Sequence, residues 1–302
     1  MKVRIGFGLG TQSGSDETDG FKVMVDALET CGFDSLWMSE RVGGTSLDPM
    51  VALAVAAGRT TRLKLGTSVL VLPGRSPALM AKQLASLDVL SDGRFLPAVG
   101  LGVANSFEQQ AFGVERNQRA SFFDEALPLM RRFWTGHPVD HHGPRFTYDG
   151  LVVRPRPRQD PLEVWMGGRA PAELKRVGRM SDGWLASFCT PESAQEGVAI
   201  VAESAAEHGR TVDPEHFGAI LAYGDGTALP NALAERIAAI HPDVDPARIV
   251  APSLQALGRL IEKFIAVGVS KFVLTPVAPS GGWKEEITRL AHSVLPLQGT
   301  RN

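Results

Sequence analysis

The sequence has 302 residues, 44% hydrophobic and 21% charged, a composition that argues against extensive disorder and is typical of a globular enzyme. Its 31 basic and 33 acidic residues give a net charge of −2, so no overall field predicts a nucleic-acid or membrane partner. The first ten residues, MKVRIGFGLG, read as a strand running into glycines rather than as a membrane span or signal peptide, and we expect a cytoplasmic protein. Cys31 and Cys189 lie outside any CxxC spacing and are predicted to be free thiols.

Apolar runs alternate with helical patterns along nearly the whole chain, which is typical of a parallel sheet with crossover helices. Asp48-Pro49 and Ser76-Pro77 provide N-cap and first-turn signals for two of the helices. The predicted strands are Val3–Leu9, Ser35–Ser39, Leu63–Leu70, Phe95–Leu101, Glu163–Met166, Gly183–Ser187, Phe217–Ala222 and Lys271–Thr275.

Eight strands favour a (β/α)8 TIM barrel over an open doubly wound sheet, because no GxGxxG fingerprint follows the first strand. The chain is interpreted as one domain over residues 1–302. Two stretches interrupt the alternation. The Pro- and Gly-rich segment at about 137–161 predicts a hairpin insertion between the fourth helix and the fifth strand, and a second insertion is expected at about 224–253.

In a barrel, functional residues gather at the carboxyl ends of the strands, where the loops are free to vary. The residues at these ends include Phe7, the pair Glu40 and Arg41, the stretch Thr67–Leu70 with Ser68 and Val69, the triplet Gly100, Leu101 and Gly102, and the triplet Gly167, Gly168 and Arg169. We expect a ligand-binding site at this edge of the sheet.

The fifth strand end, VWMGGRAP, has two glycines and an arginine directly before a predicted helix. Glycines permit close backbone approach and a helix N-terminus attracts anions, so a phosphate site fits this segment, although a tight turn alone fits it equally well. Glu40 and Arg41 are open to two interpretations in the same way, as a solvent-facing ion pair or as ligand-binding groups. His137, His141 and His142 lack the spacing of a metal site, and no metal is expected.

Several long blocks of the sequence carry a resemblance to a known family. They are GFDSLWMSE, LKLGTSVLVLPGRSPALMAKQLASLDVLSDGRF, AVGLGVANSFEQQAFGV, RASFFDEALPLMRRFWTG and PLEVWMGGRAPAELKRVGRMSDGW. With these blocks the chain resembles the bacterial luciferase-like oxidoreductases, and best their actinobacterial F-420-dependent branch. The resemblance implies a (β/α)8 barrel with an insertion, a cofactor across its carboxyl face with the phosphate near the fifth strand, and a cis peptide between Ser68 and Val69.

The chain departs from that branch at two positions that matter for chemistry. Members that oxidise sugar phosphates or alcohols carry a histidine after the second strand and often a glutamate after the fourth, where this sequence has Arg41 and Val103. Glu40 still matches a ligand-contacting acidic position, and Glu108 matches an acidic position of the wider family. With no matching base and acid, Glu40 and Arg41 are the expected catalytic candidates.

The resemblance implies three functions for the chain. The first is an F-420-dependent oxidoreductase acting on a small organic substrate, in the direction of reduction, with a separate enzyme reducing the cofactor. The second is an FMN-dependent monooxygenase fed by a separate reductase, and the third is a cofactor-binding protein without catalysis. The anionic tail of F-420 would bind to Arg169 and Lys175, with Arg75 or the run 154–158.

Two further expectations concern the pocket wall and the assembly. Trp283 would either line the pocket or begin a helix, and a homodimer is expected.

Overall fold

A computed structural model describes residues 1–11, 18–226, 229–277 and 281–300. The fold belongs to the predicted α/β class, with a curled, mostly parallel sheet whose strands alternate with helices along the chain. The strands of this part of the chain are β1 (Lys2–Leu9), β2 (Ser35–Met38), β3 (Lys64–Thr67), β4 (Leu70–Val71), β5 (Phe95–Leu96), β6 (Ala98–Gly100), β7 (Val139–His142), β8 (Thr147–Leu151), β9 (Trp165–Gly167), β10 (Gly183–Ser187), β11 (Phe217–Tyr223), β12 (Val250–Ala251), β13 (Lys271–Pro276) and β14 (Gly299–Thr300).

The helices begin at capping signals of the kind that the sequence analysis identified. Asp48 Oδ1 accepts from the N–H of Val51 at 3.0 Å, and the Ser76 hydroxyl accepts from the N–H of Leu79, which confirms both predicted N-caps. The helices in the described ranges are α1 (Thr18–Cys31), α2 (Pro49–Arg59), α3 (Pro77–Leu90), α4 (Ser106–Phe112), α5 (Arg119–Trp134), α6 (Pro171–Met180), α7 (Pro191–Glu207), α8 (Asn231–Ile240), α9 (Leu254–Ala266) and α10 (Trp283–Val294).

Parallel pairing runs from β1 in two directions. One direction passes through β2 and β3 to β5, and the other passes through β13, β11, β10, β9 and β6 to β4. Because β3 and β4 belong to one segment of chain, as do β5 and β6, both directions end on the same two segments. The carboxyl ends of these strands therefore face one side of the sheet.

The predicted third and fourth strands are each divided in two. The fourth is broken at Pro97, which has no N–H to donate to a ladder and separates β5 from β6. The third is broken at the Ser68–Val69 peptide, which is cis as the resemblance implies. The side chain of Thr67 connects the two divided strands at these breaks. Its hydroxyl donates to the carbonyl of Ala98 at 2.7 Å and accepts from the N–H of Ala98 at 2.8 Å.

The amino end of the sheet encloses a small apolar cluster around two tryptophans. Trp37 and Trp165 are buried with ring centroids 6.4 Å apart, and a Cβ atom on Gly183 would lie 2.5 Å from Trp165 Cδ2. The buried ammonium of Lys271 lies about 6 Å from both rings and 3.0 Å from the carboxylate of Asp34. This end of the sheet is therefore filled by side chains.

The segment before β9 contains a separate two-stranded antiparallel sheet, formed by β7 and β8. His141 lies 2.9 Å from Glu125 there, and His142 lies 3.1 Å from Asp149. The described part of 224–253 contains α8, a short 3-10 helix over Pro246–Arg248, and β12, which pairs with β11. Among the residues described, no helix has the length and apolarity needed to span a membrane.

Candidate active site

A cavity of about 350 Å³ opens at the carboxyl ends of the strands. Nearly every strand of the sheet contributes a wall residue, as a shared edge of parallel strands requires. Its lining includes the predicted residues Glu40, Arg41, Ser68, Val69, Gly100, Leu101, Gly102, Gly167 and Gly168. The strand ends that were singled out from the sequence therefore meet in one place, with the exceptions of Phe7 and Arg169.

The floor of the cavity is formed around Val69. A Cβ atom on Gly100 would lie 2.7 Å from Val69 Cγ2, and one on Gly167 would lie 3.3 Å from Val69 Cγ1. The two glycines thus make room for the Val69 side chain, which packs directly against their backbone. The result is a shallow, mostly apolar floor of the kind that an aromatic ring system can cover.

The hydroxyls of Thr67 and Ser68 have different environments, although both were expected to face a ligand. Thr67 is fully buried and bonded to Ala98, so its role is in the sheet. Ser68 lines the cavity, and its hydroxyl lies 3.1 Å from the hydroxyl of Ser39. Only the second hydroxyl is available to a ligand.

The Glu40 carboxylate is held by neighbours within the chain. One oxygen accepts from the N–H of Val71 at 2.7 Å and the other is bound by the guanidinium of Arg75. Burial raises the pKa of Glu40 above its usual value, the Val71 N–H and Arg75 act in the opposite direction, and the negative charge of Glu108 adds to the increase. The sequence suggested an ion pair with Arg41, but the partner is Arg75, and that pairing takes Arg75 away from the cofactor tail for which it was considered.

Arg41 lines the same cavity and makes no ion pair with a carboxylate among residues 1–11, 18–226, 229–277 and 281–300. A second guanidinium, that of Arg236 from α8, joins it in the lining and lies 4.4 Å above the ring of Phe188. Partial burial and the positive charges of Arg41 and Arg169 lower the pKa of Arg236. Arg41 and Arg236 thus bring two positive charges to this cavity that pair with no carboxylate in the part of the chain that the structure describes.

The end of β9 is divided between two cavities. Gly167 and Gly168 line the first, whereas Arg169 lines a neighbouring cavity of about 460 Å³ that shares Phe188 with it. The backbone N–H groups of Arg169 and Ala170, at the start of α6, donate to Glu173 at 2.9 and 3.0 Å. An anion at this helix start must therefore use the Arg169 side chain or compete with Glu173.

Phe7 is fully buried and does not line either cavity. Its ring packs edge-on against Trp283, the first residue of α10, with centroids 6.0 Å apart. The part of the eighth loop at 278–280 lies outside the described residues. From this side of the sheet the cavity is lined instead by Gly10, Thr11 and Thr275.

The run 154–158 is also engaged elsewhere, because Arg154 bonds to the carbonyl of Gly136 while Arg156 and Arg158 pair with Asp160 and Asp92. Lys175 is exposed on α6 and lines neither cavity. Of the four basic elements considered for a cofactor tail, Arg169 and Arg75 each line a cavity next to the site, and Arg75 is bound there to Glu40.

Sequence reasoning missed several wall residues. Arg236 came from a segment read as an insertion, where no strand-end rule applies, whereas Phe188 directly follows the predicted sixth strand and that rule could have found it. Glu108 was noted without a definite role; it is buried in the lining and accepts long bonds from the N–H groups of Val42 and Gly43, at 3.4 and 3.5 Å. In the described part of the chain, no group of three His, Cys, Asp or Glu is arranged to hold a metal ion.

Residues 2–240 match the family model described as luciferase-like monooxygenase. The chain belongs to this family. Among curated relatives, it is 31% identical over 167 residues to the F-420-dependent glucose-6-phosphate dehydrogenase of Kineococcus radiotolerans, which covers 52% of this chain and 49% of that one. The chain spans only about half the length of the curated relatives it matches.

Solved structures of the family share the fold over the full length. An F-420-dependent secondary alcohol dehydrogenase in complex with an F-420–acetone adduct superposes with a TM-score of 0.81 at 20% identity, covering 99% of this chain and 100% of that one. The oxygenating constituent of 3,6-diketocamphane monooxygenase from Pseudomonas putida, in complex with FMN, gives 0.77 at 17% identity, covering 98% and 99%. At these identities the likeness establishes the fold; one of these neighbours holds an F-420 adduct and the other holds FMN.

Proposed function

We propose that this protein is an F-420-dependent oxidoreductase that reduces a small organic substrate. The observation that carries the proposal is the cavity at the carboxyl ends, with its floor of Val69 between two glycines and two guanidiniums that pair with no carboxylate of the described ranges, in a member of this family. The relative named as F-420-dependent at 31% identity supports the choice of cofactor.

The residues present fit a deazaflavin. The apolar surface formed by Val69 between Gly100 and Gly167 suits a planar ring, and Arg169 in the adjoining cavity offers a positive charge to the phosphate that follows it. Leu101 and Gly102 would contact the ring edge. When bound and reduced, F-420 supplies a hydride, and with one proton this reduces a C=C, C=N or C=O bond while the cofactor is oxidised.

The chain's own groups favour reduction over alcohol oxidation. Oxidation of an alcohol requires a base at the reacting hydroxyl, and neither Arg41 nor Val103 can accept a proton. Glu40 is bound to Arg75 and the N–H of Val71, so we propose that it positions this wall, while Arg41 contacts the substrate. The proton that accompanies the hydride then comes from solvent.

Fluorescence titration of oxidised F-420 with the purified protein tests the choice of cofactor. The proposal predicts saturable binding at micromolar protein and no displacement by an equal concentration of FMN. Reduced F-420 should then be oxidised by activated alkenes, imines or ketones, with the return of the oxidised cofactor's absorbance as readout. A sample that fails to bind F-420 at micromolar concentration would remove the proposal.

A second function is favoured by two observations. The FMN-bound neighbour shares the fold, and the basic groups considered for a long anionic tail have partners within the chain, since Arg75 binds Glu40 and Arg154 binds the carbonyl of Gly136. An FMN-dependent monooxygenase fed by a separate reductase would bind FMN more tightly than F-420 and would consume oxygen with reduced FMN. Binding of cofactor with no turnover of any substrate would instead support a protein that binds without catalysis.

We also propose that the curled sheet is a closed (β/α)8 barrel that carries β7 and β8 as an insertion. Its support is the pairing of both halves of the third strand segment, β3 with β5 and β4 with β6. Hydrogen exchange tests this: amides of β5 and β6 should be protected together with those of β3 and β4. Rapid exchange along β4 and β6 would indicate an open edge.

A homodimer is a further proposal, supported by apolar side chains on the outer faces of α2 and α3. Val51 and Val55 lie one turn apart on α2 with 65% and 43% exposure, and Leu79 at the start of α3 is 65% exposed. Light scattering should give twice the chain mass. Replacing Val51 and Leu79 by glutamate should give a folded monomer, and a monomeric wild-type protein would contradict the proposal.

A further inference from the structure

Two guanidiniums in the cavity have no carboxylate partner among the described residues, although carboxylates line the same cavity. Arg41 follows β2 and Arg236 projects from α8, so they reach the cavity from different elements. The nearby acidic groups are committed elsewhere. Glu40 is bound by Arg75, Glu108 accepts from backbone N–H groups, and Glu173 caps α6. The remaining cavity arginine, Arg176, is paired with Asp124 at 2.7 Å.

Unpaired positive charges around a partly apolar cavity repel one another, and an anion between them removes that cost. Arg41 and Arg236 line the same cavity, and partial burial together with the charges of Arg41 and Arg169 lowers the pKa of Arg236. Arginine is also suited to planar, bidentate recognition of carboxylate and phosphate groups. The arrangement therefore fits an anionic ligand group.

The position of Arg41 separates this site from the expected cofactor phosphate. In the sheet, β2 and β9 are not neighbours, because β3 to β6 lie between them on one side and β1, β13, β11 and β10 on the other. Arg169 follows β9 and lines the adjoining cavity, whereas Arg41 lies beside Ser39 and Glu40 in the first cavity. An anion held by Arg41 and Arg236 thus lies in the first cavity, whereas Arg169 faces the adjoining one.

We propose that Arg41 and Arg236 bind the anionic group of the substrate, which is a small organic acid with a reducible double bond near its carboxylate or phosphate. The inference rests on the proposed oxidoreductase function and deepens it. It assigns to Arg41 a role in substrate binding at the position where relatives that oxidise alcohols carry a histidine. It also gives α8, which lies in the second predicted insertion, a part in specificity.

Calorimetric titration with matched probes tests the inference on protein saturated with F-420. Benzoate and phenyl phosphate carry the two candidate anions, and benzamide is the neutral counterpart of benzoate. We expect at least one anion to bind about tenfold more tightly than benzamide, a difference of about 1.4 kcal/mol. Equal affinities for both anions and benzamide would overturn the inference, and the tighter anion identifies the substrate group.

Variants then assign the effect to the two arginines. R41M and R236M keep the apolar stem but remove the charge, and each should weaken binding of the tighter anion by about tenfold while benzamide binding stays the same. R41K should lose less affinity than R41M, which guards against a folding defect. R259M, on the exposed face of α9, is the matched control and should bind every probe like the wild type.

The affinity of the variants for F-420 distinguishes a site for the substrate anion from a site for the cofactor. R41M and R236M should bind F-420 like the wild type. Weaker F-420 binding with unchanged anion binding would mean that the arginines serve the cofactor, which overturns the inference. If wild-type protein binds no F-420, the proposed function fails, and the same probe titrations on cofactor-free protein still decide whether the arginines form an anion site.

Discussion

The two ends of the sheet contain buried or half-buried charged side chains that differ in whether a partner of opposite charge lies beside them. At the amino end, the ammonium of Lys271 is 4% exposed and lies 3.0 Å from Asp34, beneath Trp37 and Trp165. At the carboxyl end, Arg41 and Arg236 line an open cavity and pair with no carboxylate of the described ranges. The first charge is neutralised within the chain and has a structural role, while we propose that the second set binds a ligand.

The largest expected effect comes from breaking the amino-end pair. K271M leaves the Asp34 carboxylate with only the more exposed Lys64, 3.8 Å away, so the free energy of unfolding should fall by about 3 kcal/mol. The double variant K271M/D34N removes both charges and should be clearly more stable than K271M. Chemical denaturation measures both. A double variant no more stable than the single one would show that Asp34 does not depend on Lys271.

Packing around Trp165 should produce the next effect. G183A places a Cβ 2.5 Å from Trp165 Cδ2 and should lower the free energy of unfolding by about 1–3 kcal/mol. G258A is the matched control in α9, where an added Cβ meets no atom within 4 Å and alanine should stabilise the helix by about 0.5–1 kcal/mol. If both variants have the same stability, the amino end is not tightly filled.

Helices and strands could be predicted from the sequence wherever local signals decide the structure. Alternating patterns located the strand segments, and Asp48 and Ser76 marked helix starts, because caps act within one turn. Pro97 could have indicated the break in the fourth strand. The partner of Glu40 could not be read in this way, because Arg75 lies in another loop and only the folded sheet brings the two together.

Contacts that only the folded sheet creates also limited the prediction of the site. Residues at strand ends were brought together as expected, since parallel strands impose that edge. Arg236 was not foreseen, because an insertion has no fixed register with the sheet, and Phe7 faces Trp283 although it lies within a strand that borders the cavity. The position of a residue along a strand predicts whether it lies at the carboxyl edge of the sheet. The direction of its side chain and the placement of loops depend on long-range packing.

A double-mutant cycle tests which of the charged side chains at the carboxyl end interact with each other. E40Q should cost about 1–3 kcal/mol of unfolding free energy, because it removes the charge that Arg75 and the N–H of Val71 share. E40Q and R75M should be strongly non-additive, whereas E40Q and R41M should be additive. Coupling of Glu40 to Arg41 instead would mean that Arg41 is paired within the chain.

The pH dependence of stability gives the smallest effect. Burial lowers the pKa of Lys271 to about 8, against an ordinary value of 10.5. Between these values the unfolded chain binds the proton more tightly, so this group's contribution to the free energy of unfolding rises with pH, by at most about 1.4 kcal/mol per unit.

Denaturation at pH 8 and at higher pH should show this rise as a difference between the wild type and K271M/D34N. The comparison is needed because burial raises the pKa of Cys189 to about 12, which acts in the opposite sense in both proteins. A difference that stays constant with pH would contradict the assignment to Lys271.

F-420 affinity of one variant from each end tests the central claim most directly. G100A places a Cβ 2.7 Å from Val69 Cγ2 and alters the cavity floor, so the account predicts F-420 binding weaker by about tenfold. K271M/D34N changes the filled amino end and should bind F-420 like the wild type. Unchanged binding by G100A, or equal losses in both variants, would contradict the claim that the carboxyl-end cavity is the cofactor site.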